Sequence, residues 1–198
     1  MKSKPTTAAE LMAELEADPT WVADRDVREA ARQEQMAELR RAQAPLLAEL
    51  AAVGYCVQSV WDLVNTATPY PGALPLLLDH LQRAYPIPVR EGIARALAVR
   101  DANFGWGVLL HLFRIEVEER VKHGIAVALA ATADDSNIGD LIGLVSDPRH
   151  GTSRVLLLEP IARSREPEAQ AAFASFSKDP VLVKEIGFIE RRRQRRKR

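Results

Sequence analysis

Three basic residues, Arg90, Lys122 and Arg154, recur at intervals of 32 residues, and each stands near the start of a similar run. The runs are Val89-Arg-Glu-Gly-Ile-Ala-Arg-Ala-Leu97, Val121-Lys-His-Gly-Ile-Ala-Val-Ala-Leu129 and Ser153-Arg-Val-Leu-Leu-Leu-Glu-Pro-Ile161. A fixed period of this size restricts the chain to architectures in which one small unit buries its apolar face against copies of itself. It also places function on an extended surface rather than in one catalytic pocket.

Each period divides into two helical patterns. First helices show Leu74, Leu77, Leu78, Leu81, then Val108, Leu109, Leu112, Phe113, then Ile138, Leu141, Ile142, Val145. The first and third sets follow i, i+3, i+4, i+7, the spacing of one helical face. Second helices carry Val89, Ile93, Ala96, Leu97, then Val121, Ile125, Ala128, Leu129, with Leu157, Pro160 and Ile161 in the same register. Pro160 is expected to kink or end its helix, because it lacks an N–H. A fourth, degenerate pair holds Phe173 and Phe176, then Val183, Ile186 and Ile189, as a terminal capping repeat would. No stretch alternates with period two, Leu and Ala dominate, and aromatic residues are only 6%, so no sheet is expected.

Residues 1–65 lack the period and are read as an N-terminal helical cap. Thr7-Ala-Ala-Glu10 is a capping box opening a helix that ends near Asp18-Pro19. A second helix is expected from Asp24 to about Gln43, with Asp24/Arg28 and Arg25/Glu29 paired at four-residue spacing. Pro45 then suits the first turn of a third helix, Leu46–Val53, closed by Gly54. Ser59–Val64 is a further short helix. The breaker cluster Asn65-Thr-Ala-Thr-Pro-Tyr-Pro-Gly72 marks the boundary, with paired helices over 66–190 and a basic tail over 191–198.

The chain resembles the HEAT-like helical repeats in their short bacterial form. Leu144-Val-Ser-Asp-Pro-Arg-His-Gly-Thr-Ser-Arg-Val-Leu-Leu-Leu158 is similar to that family's first helix, Asp-Pro turn and basic entry to a second helix. Val89-Arg-Glu-Gly-Ile-Ala-Arg-Ala-Leu97 is similar to its Val-Arg-x-x-Ala-x-x-Ala-Leu signature. The turns around Ala84–Pro88 and Glu116–Glu119 depart from the pattern. The resemblance implies an all-α fold, a right-handed α-α superhelix of helical pairs behind a non-repeat cap, and says little of function.

One cysteine excludes an intrachain disulfide. The N-terminus lacks the apolar run of a signal peptide, and no apolar stretch reaches bilayer length. A cytoplasmic protein with no membrane partner is expected. The net charge is zero, but seven basic groups fall within 191–198, leaving 20 basic against 27 acidic in the other 190 residues. An acidic body with a basic tail points to an interaction segment.

Candidate partner-binding residues are Arg90, Lys122 and Arg154 of the basic ladder, the Gly-flanked Trp106, and Arg191, Arg192, Arg193, Arg195 and Arg196 of the tail. For the ladder, the competing reading is a fastener that ties each turn to its neighbour. For the tail, it is a solvated extension of the last helix, with no aromatic interleaved to stack on bases. His80 and His111 occupy similar places in consecutive first helices, yet no ligand set at metal spacing accompanies them. Cys56 reads as a small buried residue in a helical segment. No nucleophile elbow, phosphate loop, dinucleotide fingerprint or zinc-protease motif occurs, and Trp61-Asp62, Trp106 and Arg154 do not align with the groove of the HEAT-like DNA glycosylases. No cofactor and no metal are expected. The leading expectation is a non-enzymatic scaffold or adaptor that binds a protein. The alternatives are a nucleic-acid-associated protein using the tail and ladder, and an accessory subunit of an enzyme.

Overall fold

A computed structural model describes residues 7–196, and among them the chain is all helical, without a strand. The contacts divide it into two units, Met1–Arg41 and Ala42–Arg198. The compact unit thus begins inside the segment expected to be a separate cap.

The first unit holds helix α1 (Ala8–Glu16) and the start of α2 (Pro19–Ala52). Thr7 and Glu10 form the expected capping box. Asp18 Oδ1 accepts from the Thr20 N–H at 2.9 Å, and Pro19 opens α2 where its missing N–H is not needed. None of the described residues of this unit is buried, and Val27 is 70% exposed. The expected charge pairs are rearranged. Arg28 donates to the Asp24 carbonyl, Arg25 pairs with Asp26, and Arg32 pairs with Glu29.

Pro45 does not start a new helix, for α2 runs through it. Leu46 and Leu50 beyond it are fully buried, and burying a leucine contributes about 1.5–3 kcal/mol. Two such side chains offset the roughly 3 kcal/mol that a helix-interior proline costs. Gly54, with φ of 93°, then ends the helix as the Tyr55 N–H reaches the Leu50 carbonyl at 2.9 Å.

The second unit continues with α3 (Val60–Val64), α4 (Leu74–Leu81), α5 (Ile87–Ala96), α6 (Trp106–Ile115) and α7 (Glu119–Thr132). It ends with α8 (Ile138–Ser146), α9 (Leu158–Arg163), α10 (Pro167–Ser175) and α11 (Val183–Arg196). Pairing is local: α4 packs on α5, α6 on α7, and α8 on the segment that follows it. The second helices also pack on each other, in the order α3, α5, α7 and then the 148–157 segment. Of the residues in the periodic register, Val89, Ile93, Ala96, Leu97, Val121, Ile125, Ala128, Leu129, Leu157 and Ile161 are all at most 2% exposed. In the fourth pair Leu182 is buried and Val183 is 45% exposed, so the core position slips by one residue.

Glycine sets the spacing of this row. A Cβ on Gly92 would fall 2.6 Å from Val60 Cγ1, and one on Gly124 would fall 2.9 Å from Ala94 Cβ. Both glycines occupy the same place in the period, and each makes room for the preceding second helix. Leu156 takes that place in the third period and is 36% exposed. There the α-helix gives way to a 3-10 segment, Pro148–Leu157, broken at Gly151 with φ of 56°. Pro160 therefore does not kink a long helix. It stands in the first turn of the six-residue α9, where no N–H is needed.

Loops joining the pairs are pinned by side chains. Tyr70 Oη donates to the Ala96 carbonyl at 2.8 Å, and Asn103 Nδ2 to the Thr132 carbonyl at 2.8 Å. Among the described residues, no helix is long and apolar enough to cross a membrane.

Candidate functional site on the inter-helix turns

Arg90 and Lys122 lie in the first turns of α5 and α7 and Arg154 in the 3-10 segment that precedes α9, and the side chains of all three reach the turns between helices. Arg90 Nη2 donates to Glu116 Oε2 at 2.6 Å, in the turn of the next pair. Arg154, only 3% exposed, donates to the Gly151 and Val145 carbonyls at 3.1 and 3.0 Å and to Asp179 Oδ2 at 2.7 Å, again in the next pair's turn. These two guanidinium groups fasten one pair to the next. The charge-assisted bonds offset part of the cost of burying these groups, although Arg90 Nε stays buried without a partner.

Lys122 is different. Its Nζ donates to the Glu116 carbonyl at 3.1 Å and sits 5.1 Å from the centre of the Phe113 ring. Among the described residues it meets no carboxylate at ion-pair distance. Asp147 is the acid that the spacing offers it, but Arg149 has taken both oxygens, at 3.0 and 2.7 Å. That pairing and the Arg149 N–H hold the Asp147 carboxyl far below the usual carboxylate range. Burial pushes the Lys122 ammonium below its ordinary pKa, with Glu116 and Asp147 opposing.

Lys122 opens into a cleft of about 750 Å³ between the second and third turns, lined also by Ile115, Val117, Asp147, Arg149 and His150. His150 is 9% exposed, tilts against Phe113 at 4.9 Å, and has a buried Nδ1 with no hydrogen-bond partner. Desolvation by burial, assisted by the Lys122 charge, lowers its pKa. On the lip, Ile115 is 58% and Val117 94% exposed. Ile87 and Val181 are exposed near the equivalent turns of the first and fourth pairs.

The remaining candidates lie elsewhere. Trp106 is half-buried and donates its indole N–H to Asp140 Oδ2 at 2.9 Å, tying α6 to α8. Trp61 does the same between α3 and α5, donating to the Pro88 carbonyl at 3.1 Å. The expected tail continues α11 as far as Arg196, whose side chain lies outside the described residues, as do Lys197 and Arg198. Arg192 pairs with Glu159 of α9, and Arg193 lies 5.5 Å from the Phe173 ring. Phe188 is 50% exposed and borders Arg191, Arg192 and Arg195, so an aromatic does accompany the arginines, one turn upstream. The i, i+3, i+7 spacing of 188, 191 and 195 carries that signal in the sequence.

His80 is fully buried, 2.7 Å from the Tyr85 hydroxyl, whereas His111 is exposed. Among the described residues, no three His, Cys, Asp or Glu are grouped to hold a metal ion. Cys56 is exposed rather than buried, because the segment after Gly54 leaves the helix. Compared with protein-family models, curated proteins and solved structures, the chain finds no match.

Proposed function

We propose that the chain is a HEAT-like helical-repeat adaptor of the cytoplasm that binds a protein along its inter-helix turns, without chemistry of its own. The observation that carries this reading is the pair Ile115 and Val117, held out to solvent at 58% and 94% exposure beside a polar cleft. Scattered exposed apolar residues are ordinary, but apolar residues rimming a concave, partly polar recess are the composition of a recognition surface. The repeated glycine, the 32-residue spacing and the turn-fastening arginines support the repeat assignment. Replacing both lip residues, Ile115→Ser with Val117→Ser, leaves the core untouched. It is expected to abolish retention of the partner in cross-linking from the native host. Identical cross-linked partners for wild type and the double variant would overturn the reading.

A second reading rests on the exposed face of α11, where Phe188 lies with Arg191 and Arg195. An aromatic amid arginines suits single-stranded nucleic acid, through stacking and phosphate contact. Anisotropy with labelled single-stranded RNA at low and moderate salt tests it. Binding should fall steeply with salt and be lost in Phe188→Ser/Arg191→Ala/Arg195→Ala, and absence of binding at low salt ends it.

A further inference from the structure

The three ladder residues share a geometric rule that only two of them complete. Each faces an acid 25 or 26 residues downstream: Glu116 for Arg90, Asp147 for Lys122, Asp179 for Arg154. The first and third pairs are closed, at 2.6 and 2.7 Å. In the second, Asp147 is turned to Arg149, itself 87% exposed, and Lys122 is left with a carbonyl and the face of a ring. The unclosed rung is the one that lines the cleft of about 750 Å³.

We propose that this rung takes a carboxylate from a partner's peptide segment, an Asp or Glu side chain seated on Lys122 with an adjoining apolar side chain against Ile115 and Val117. The inference rests on the protein-binding reading above and names the chemistry of its ligand. The charges around the cleft favour an anion. Glu116 is already held by Arg90 and Asp147 by Arg149, while Glu119 accepts from Thr152 and is largely exposed. Of the basic side chains that line the cleft, Arg149 is paired, and Lys122 and Arg114 have no carboxylate partner among the described residues. An incoming carboxylate would do for Lys122 what Glu116 and Asp179 do for the two arginines, and a charge-assisted bond formed at a half-buried ammonium is stronger than one in open water. His150 adds a buried polar atom without a partner, Nδ1, on the same wall. The lip supplies the apolar half of the recognition, since Val117 has no intramolecular cover.

The test is selection of peptides from a random library on the full chain, followed by anisotropy of individual peptides against wild type and variants. Enriched peptides should share an acidic residue beside an apolar one. Lys122→Met, which keeps an unbranched side chain over Phe113, should weaken them about tenfold or more, while Lys122→Arg should retain them. Arg149→Ala should also weaken them, because it frees Asp147 to close the rung from within. The Lys122 ammonium, followed by NMR, should titrate at higher pH when peptide is bound, a change that a purely structural lysine would not show. Enriched peptides that lack an acid, or acidic peptides that bind Lys122→Met as tightly as wild type, would overturn the inference. If such peptides are nonetheless lost in Ile115→Ser/Val117→Ser, the protein-binding reading survives without the carboxylate. If neither set of changes matters, both fail.

Discussion

Gly124 offers a direct measure of how closely the second helices are held. Replacing a helix-interior glycine with alanine stabilises by about 1 kcal/mol through backbone propensity alone. At Gly124 the added methyl would meet Ala94 Cβ at 2.9 Å and the Glu91 carbonyl oxygen at 3.2 Å. Neither is the movable end of a long side chain, so α5 and α7 must part, and with them the fully buried Ile93, Ile125 and Leu129. Overpacking of this kind costs about 1–3 kcal/mol, occasionally more. Because the obstacle is backbone as well as side chain, the upper part of that range applies, and the net expectation is a loss of about 1–2 kcal/mol. For a unit of this size that lowers the Tm by about 2–8 °C. Gly143 of α8 is the control, since a Cβ there meets nothing within 4 Å. Gly143→Ala should gain about 1 kcal/mol and raise the Tm by about 2–4 °C. Thermal unfolding followed by far-ultraviolet circular dichroism reads both. Ala94→Gly combined with Gly124→Ala should be less damaging than the sum of the single changes, because the colliding methyl is gone. A Gly124→Ala protein as stable as wild type would refute the close approach of these helices.

Pro45→Ala, in the interior of α2 and exposed to solvent, should raise the urea midpoint by the equivalent of about 1–3 kcal/mol, with the slope unchanged. Arg154→Ala should cost about 1–3 kcal/mol in the same experiment, because it strands the buried Val145 carbonyl and removes the cation from a part-buried pair. The Arg154 guanidinium beside Asp179 holds that carboxyl below its ordinary pKa. Its contribution is therefore complete above the unfolded carboxylate pKa near 4 and is lost as the pH falls below it. The Tm of the wild type should drop between about pH 5 and pH 2, and Asp179→Asn should flatten that drop.

The periodic core was readable because burial repeats with the helix: the same register that spaces Val89, Ile93 and Leu97 recurs 32 residues later and finds the same neighbour. Breaks in the pattern were harder. Pro45 reads locally as a helix start, and only the burial of Leu46 and Leu50 outweighs that preference. Pro160 reads as a kink, but the break lies upstream, where Leu156 occupies the glycine place and Gly151 turns the backbone. The ladder pointed to basic residues, yet their acids come from another turn, and which acid is diverted depends on Arg149, two residues from Asp147. Periodicity does not register that choice. The cleft was illegible for the same reason: the sequence marks Lys122 off from Arg90 and Arg154 only by its residue type, and the missing carboxylate is seen only in three dimensions.

The glycine register also determines where this molecule can be lengthened. The place that Ala94 holds against Gly124 is held one period later by Ala126, itself fully buried. A duplicate of residues 101–132 inserted after Thr132 would present its own glycine to Ala126, as Gly124 now does to Ala94. A duplicate of the third pair would present Leu156 instead and could not settle at the same distance. The chain thus carries an extensible module and, directly after it, a pair that leaves the glycine register and packs on the fourth pair by other contacts. A recombination event that copies the first would enlarge the protein in whole steps.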